Sequence, residues 1–146
     1  MEQAFSKARA AAGQLQAVYH LGDGVSDAAP LRERCPQVIL ISGNCDFLSV
    51  HPKNVLSEID GVKIFAAHGH EYGVKNGLSA ILRAGRNDGA HVVLFGHTHL
   101  PCVEMQNGIL LVNPGSLTCP NECRKGTFAL LSIDNGKANA RIFEVG

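Results

Sequence analysis

Tryptophan is absent from this chain of 146 residues, and two tyrosines and six phenylalanines are its only aromatic side chains. That is too few for the base-stacking platform that single-stranded nucleic acids require. No charge of one sign dominates, because thirteen Lys and Arg balance thirteen Asp and Glu. The chain therefore has no electrostatic footprint for nucleic acid or an anionic membrane, and any phosphate binding must be local. Long hydrophobic runs are missing as well: Val38 to Ile41 and Ile109 to Val112 have the length of strands and fall far short of a bilayer span. The five cysteines (Cys35, Cys45, Cys102, Cys119, Cys123) are odd in number and form no Cys-x-x-Cys pair, which argues against a disulfide framework or a zinc cage. Cys119 and Cys123, four apart around Pro120, are read as structural. Met1-Glu2-Gln3 opens a charged, Ala-rich stretch without an apolar signal-peptide core, so the cytoplasm is the expected location.

A chain of this length fits one domain, 1–146, that buries roughly two thirds of its unfolded surface. Phe5, Ala8, Ala12 and Leu15 recur at helical spacing and predict a helix over 2–17. Ala17-Val18-Tyr19-His20-Leu21 reads as a short buried strand, 25–34 as a weak helix closed by Pro36, and 37–42 as a β-branched strand. Val62 to Ala67 and His91 to Phe95 are two further strands, and between them Val74, Leu78, Ile81 and Leu82 predict a helix over 74–86. After Pro101 the pattern changes to hairpins, one turning at Asn107-Gly108 and one at Asp134-Asn135-Gly136. Near-continuous apolar strands joined by helices imply a sheet covered on both faces, and the late hairpins an antiparallel sheet packed against it. The expected fold is an α/β sandwich of two sheets.

Four of the expected strands end in a Gly-containing loop that opens with a metal-ligand residue: Asp23, Asn44, His68, and His97 with His99. Loops beyond the carboxyl ends of strands in an open α/β sheet converge on one crevice, so these five side chains can meet although they lie far apart in sequence. Gly22, Gly43, Gly69 and Gly96 allow the tight turns this needs. Taken alone, Gly22-Asp23-Gly24 is a plain turn and Asn44 a helix cap; two histidines straddling Thr98 at a strand end are harder to explain without a ligand. Carboxylate, carboxamide oxygen and imidazole suit a divalent Mn, Fe, Ni or Zn ion and offer no soft thiolate cage. A carboxylate can bridge two ions about 3.5–4 Å apart, and such a pair turns water into hydroxide at neutral pH and clamps phosphoryl oxygens. That chemistry is phosphoester hydrolysis.

Gly22-Asp23, Gly43-Asn44-Cys45-Asp46, His68-Gly69-His70, Gly96-His97-Thr98-His99 and Asn113-Pro114-Gly115-Ser116, in that order, resemble the calcineurin-like metallophosphoesterases, most closely their small bacterial and archaeal phosphodiesterases. The resemblance covers nearly the whole chain and implies a four-layer α-β-β-α sandwich of two mixed sheets, two divalent metals with Mn foremost, and a small phosphodiester substrate. By resemblance Asp23 bridges the metals, Asn44, His68 and His97 complete one site, and His99 belongs to the other. Asn44 and His68 would position phosphate. Cys45 stands where the family commonly has a histidine that protonates the leaving group, which makes His70 the nearest alternative acid; Asp46 is the acid that closes the Asn-x-Asp motif. The expected catalytic set is therefore Asn44, His68, Cys45, Asp46 and His70.

None of the six aspartates is followed two residues later by histidine, so the Asp-x-His that opens the family pattern, at the end of a first strand inside the sheet, is absent from this sequence. The expectation is a break in that sheet with unpaired ladder groups and an apolar slot, one surviving metal site, and a second that is weak or empty. A neighbouring chain in a homo-oligomer is one way to fill the slot. The rival reading is a catalytically weak scaffold that binds a protein partner, by resemblance to the retromer subunit of the same fold; a single-metal storage or sensor protein is a third.

Overall fold

A computed structural model describes residues 1–118 and 125–146; Cys119 and Cys123 fall outside them. Helix α1 (Glu2–Ala12) turns Ala4, Phe5 and Ala8 inward. It ends before the expected residue 17 because the chain turns at Gly13, whose N–H donates to the Arg9 carbonyl at 2.8 Å, and must extend for β1 (Ala17–His20). The weak helix expected over 25–34 is two short 3-10 turns, Val25–Asp27 and Ala29–Glu33. Strand β2 (Gln37–Leu40) then pairs with β1 in parallel.

Sequence reasoning passed over β3 (Asn54–Ile59), which forms an antiparallel hairpin with β4 (Val62–Ala67). Its turn, Asp60-Gly61, has both residues at positive φ (50° and 81°), the geometry that Asp-Gly favours between twisted strands. Helix α2 (Ser79–Asn87) begins later than the expected residue 74, since Gly77 at φ 141° interrupts the spiral. Val74 nevertheless packs into the same cluster as Ile81 and Leu82. Strands β5 (Val92–Leu94), β6 (Cys102–Gln106) and β7 (Ile109–Asn113) complete a five-stranded mixed sheet in the order β3-β4-β5-β7-β6, with β4, β5 and β7 parallel at its centre. The last hairpin is β8 (Thr127–Asp134) with β9 (Lys137–Glu144).

Alternate residues of the central strands face opposite ways and build two cores. Phe65, Val93 and Leu111 meet α2 on one face. Ile64, Val92 and Val112 on the other meet Tyr19 and Ile39 of the β1–β2 pair and Leu131 and Ala140 of the β8–β9 hairpin. Phe5 of α1 and Leu31 cover the outer side of β1–β2 through Val18 and Val38. The order of layers is thus helix, sheet, sheet, helix, as the sequence led us to expect. The second layer consists of two separate ladders, β1–β2 and β8–β9, with no strand pairing between them among the described residues, which is the break expected where the first strand is absent. All four residues of β1 and the first five of β8 are consequently only half-buried, although their sequences are apolar enough for an interior. No described helix is long and apolar enough to cross a membrane.

Candidate metal centre

The site lies where the two layers touch at the strand ends. His68 follows β4, is 2% exposed, and donates its Nδ1–H to the Leu21 carbonyl beyond β1 at 2.7 Å; a carbonyl can only accept, so the tautomer follows from the contact. Burial, outweighing the Leu21 bond and the charge of Asp23, lowers the His68 pKa, and burial together with His68 lowers that of His97. Both rings are neutral at pH 7. The Nε2 of His68 therefore carries a lone pair. That atom faces the Asn44 Oδ1 at 2.9 Å, the Asp23 Oδ2 at 3.3 Å and the His97 Nδ1 at 3.1 Å.

The ligand atoms of Asp23, His68 and His97 all lie within 4.8 Å of one another. The His68 lone pair and the oxygens of Asn44 and Asp23 are acceptors directed at acceptors, which repel unless a proton or cation sits among them; the His97 Nδ1 donates to that lone pair in one tautomer and joins the acceptors in the other. The residues present thus fit a divalent ion: carboxylate, amide oxygen and two neutral imidazoles converge on one point, and His68 is oriented from behind by a carbonyl, as metal-bound histidines usually are. Asp23 and His97 also share a backbone oddity, positive φ values of 58° and 68° in non-glycine residues, a conformation that persists only where surroundings enforce it.

Asp46 supplies much of that enforcement. Its carboxylate accepts from four backbone N–H groups: Asp23 (2.6 Å) and Gly43 (2.8 Å) on one oxygen, Gly24 (2.6 Å) and Val25 (3.3 Å) on the other. The two ligand-bearing loops are stitched together by one side chain. The Cys45 N–H adds a bond to the Asp23 Oδ1 at 2.8 Å. At Gly43 a Cβ would strike the Asp23 carboxylate and backbone, so only glycine lets these loops come this close.

Residues 2–136 match the family model described as the calcineurin-like phosphoesterase superfamily domain. The chain belongs to the calcineurin-like phosphoesterase superfamily. The probable metallophosphoesterase YsnB of Bacillus subtilis is 31% identical over 134 residues, 90% of this chain and 76% of its own length. Phosphodiesterase YfcE of Escherichia coli K12 is 34% identical over 117 residues, 73% of this chain and 59% of its own. Among solved structures, a predicted phosphoesterase from Streptococcus pneumoniae superposes with TM-score 0.79 at 27% identity, covering 94% of this chain and 79% of that one. Vps29 of Entamoeba histolytica shares the fold at TM-score 0.76 and 21% identity, over 97% of this chain and 87% of its own.

Within this superfamily domain the expected residues divide. Asp23, Asn44, His68 and His97 come together. His99, also at positive φ (59°), is exposed and stands outside that group. His70 is half-buried, its ring 5.2 Å from His68 and 6.1 Å from His97, with a buried Nδ1 that has no partner among the described residues. Cys45 is exposed, and Asp23 beside it pushes its thiol pKa up, which keeps it protonated at neutral pH. Sequence reasoning missed the Leu21 carbonyl, which no side-chain motif announces. It also missed the part Asn113 plays: fully buried, this side chain donates to the Gly96 carbonyl (3.2 Å) and the Thr98 Oγ1 (2.9 Å) and accepts from the Gly115 N–H (2.9 Å), fixing the turn that carries His97.

Proposed function

We propose that this chain is a metal-dependent phosphodiesterase that adds water across a P–O ester bond, releasing an alcohol and a phosphomonoester. One observation carries the reading: the neutral His68 Nε2 lone pair set against the oxygens of Asn44 and Asp23, an arrangement that calls for a cation. When bound, a divalent ion, with Mn the first choice, supplies charge neutralisation at phosphorus and a more acidic water. Asp23, His68, His97 and the Asn44 amide oxygen would hold it, and the amide N–H of Asn44, exposed on its loop, is left to offer a phosphoryl oxygen. Asp46 fixes the loops rather than exchanging protons, because both its oxygens are engaged by backbone N–H groups. His70 is the better proton donor to the leaving alkoxide, as a thiol held protonated like Cys45 releases its proton poorly. Metal dependence belongs to the relatives by name, and the free state of Cys35, Cys45 and Cys102 agrees with the cytoplasmic location we propose.

Hydrolysis of bis(p-nitrophenyl) phosphate in added Mn tests this directly. Turnover that disappears in His97→Ala, with the fold retained by circular dichroism, is the expected result; no turnover in any divalent metal would reject it. The second reading is a protein-binding scaffold. Phe47, Leu48 and Val50, exposed beside the ligand loops, favour it, and the same assay separates the two.

A further inference from the structure

Phe47, Leu48 and Val50 are 86%, 100% and 94% exposed, an apolar run in which Leu48 also adopts a left-handed backbone (φ 60°), unusual for a residue of its size. Such a patch on a soluble domain usually marks something to be covered. The segment begins one residue after Asp46, whose carboxylate holds it against the Asp23 loop, so it is fixed at the rim of the metal centre. Beneath it runs an open trough of about 550 Å³, within the size range of small-molecule sites. Gly24, Val25, Ala29, Phe47, Val50 and His51 line it, no Lys or Arg does, and its one carboxylate, Asp46, is occupied by backbone N–H groups. Among the described residues the trough presents no Lys or Arg to a second phosphate; Ser26, Ser49 and His51 are its polar residues, and Val25, Ala29, Phe47, Leu48 and Val50 its apolar ones. A ligand complementary to both parts is amphiphilic, with an anionic head at the cluster and an uncharged apolar arm over the loop.

We propose that the Phe47–Val50 segment and its trough recognise an apolar alkyl or aryl ester group of the substrate, whose phosphate sits at the Asp23–His68–His97 cluster. The proposal rests on the phosphodiesterase reading above and narrows its substrate to diesters carrying an uncharged hydrophobic arm. Transfer of each methylene from water into such a surface favours binding.

The test measures kcat/KM with Mn for methyl, butyl and phenyl p-nitrophenyl phosphate, which share one leaving group. The butyl-to-methyl ratio should be about tenfold or more in the native chain and collapse toward one in the triple variant Phe47→Ser, Leu48→Ser, Val50→Ser. Met105→Ser, an exposed apolar residue on β6, should leave the ratio unchanged. In parallel, methyl resonances of Leu48 and Val50 should shift on titration with dibutyl phosphate and not with dimethyl phosphate. Turnover with a flat ratio in the native chain overturns this proposal and leaves the phosphodiesterase reading standing. Absence of all turnover, with the dibutyl shifts present, rejects that reading and keeps the apolar site. Methyl resonances indifferent to either diester but dependent on protein concentration would mean a second copy covers the segment, and would overturn the proposal.

Discussion

Replacing Asp46 by Asn isolates the stitching carboxylate, because shape is kept while charge and one acceptor are lost. Burial pushes the Asp46 carboxyl up, and the N–H groups of Gly43, Gly24, Val25 and Asp23 together override it and hold the pKa below the ordinary carboxylate value. An Asn side chain can keep the pair at Asp23 and Gly43 by placing its oxygen there, but its NH₂ then confronts the N–H groups of Gly24 and Val25. One short and one long charge-assisted bond are lost, and two donors are left facing a donor. Bonds to charged groups are worth about 1.5–3 kcal/mol each; discounted for the half-exposed position, the expected loss is about 2 kcal/mol. That corresponds to a drop in Tm of about 8 °C for a domain of this size. Because the Asp23 loop loosens, Mn affinity should fall by about tenfold in the same variant. Thermal unfolding by circular dichroism and equilibrium dialysis with Mn measure the two. A variant melting within about 1 °C of the native chain, with Mn affinity unchanged, would refute the claim that Asp46 builds the site.

Gly43→Ala puts a methyl group onto the Asp23 carboxylate and should lower stability by about 1–3 kcal/mol while reducing Mn bound per chain. Asn113→Ala leaves the Gly96 carbonyl and the Gly115 N–H without their side-chain partner, so chemical denaturation should report a loss of about 2–3 kcal/mol, accompanied by weaker Mn binding. Burial raises the phenol pKa of both tyrosines, Tyr19 against the opposing bond from Ser57 and Tyr72 against that from Asn54. A raised folded pKa gives stability that is present below the unfolded value near 10 and lost as pH climbs through the folded one. Absorbance at 295 nm should therefore show neither tyrosine titrating at its ordinary pH, and Tyr19→Phe should blunt the alkaline loss of stability.

The parts of the fold read correctly from sequence are those where local chemistry and tertiary demand agree. Asn107-Gly108 and Asp134-Asn135-Gly136 dictate their hairpins, and the apolar runs ending at His68 and His97 can be little else than interior strands. Strand β3 escaped because Val55, Ser57 and Ile59 face the core only in part, a muted alternation; the Asp60-Gly61 turn that would have revealed it was present. At the site, the residue types and order of Asp23, Asn44, His68 and His97 were enough to foresee their meeting. What could not be read is what depends on angles: that Leu21 orients His68 through its carbonyl, that Asp46 gathers four N–H groups, and that Asp23 and His97 sit in left-handed conformations. The break between β1–β2 and β8–β9 agrees with the expected interruption of that sheet, and the half-buried Val18, Tyr19 and Leu130 are its physical trace.

The central claim is that Asp23, Asn44, His68 and His97 together bind a divalent ion, and the direct test is isothermal titration of Mn into the metal-stripped native chain and into His68→Ala. The account requires saturable binding to the native chain, with at least one ion held per molecule, and its loss in His68→Ala with the fold intact. Equal binding by both chains, or no binding by either, would contradict it.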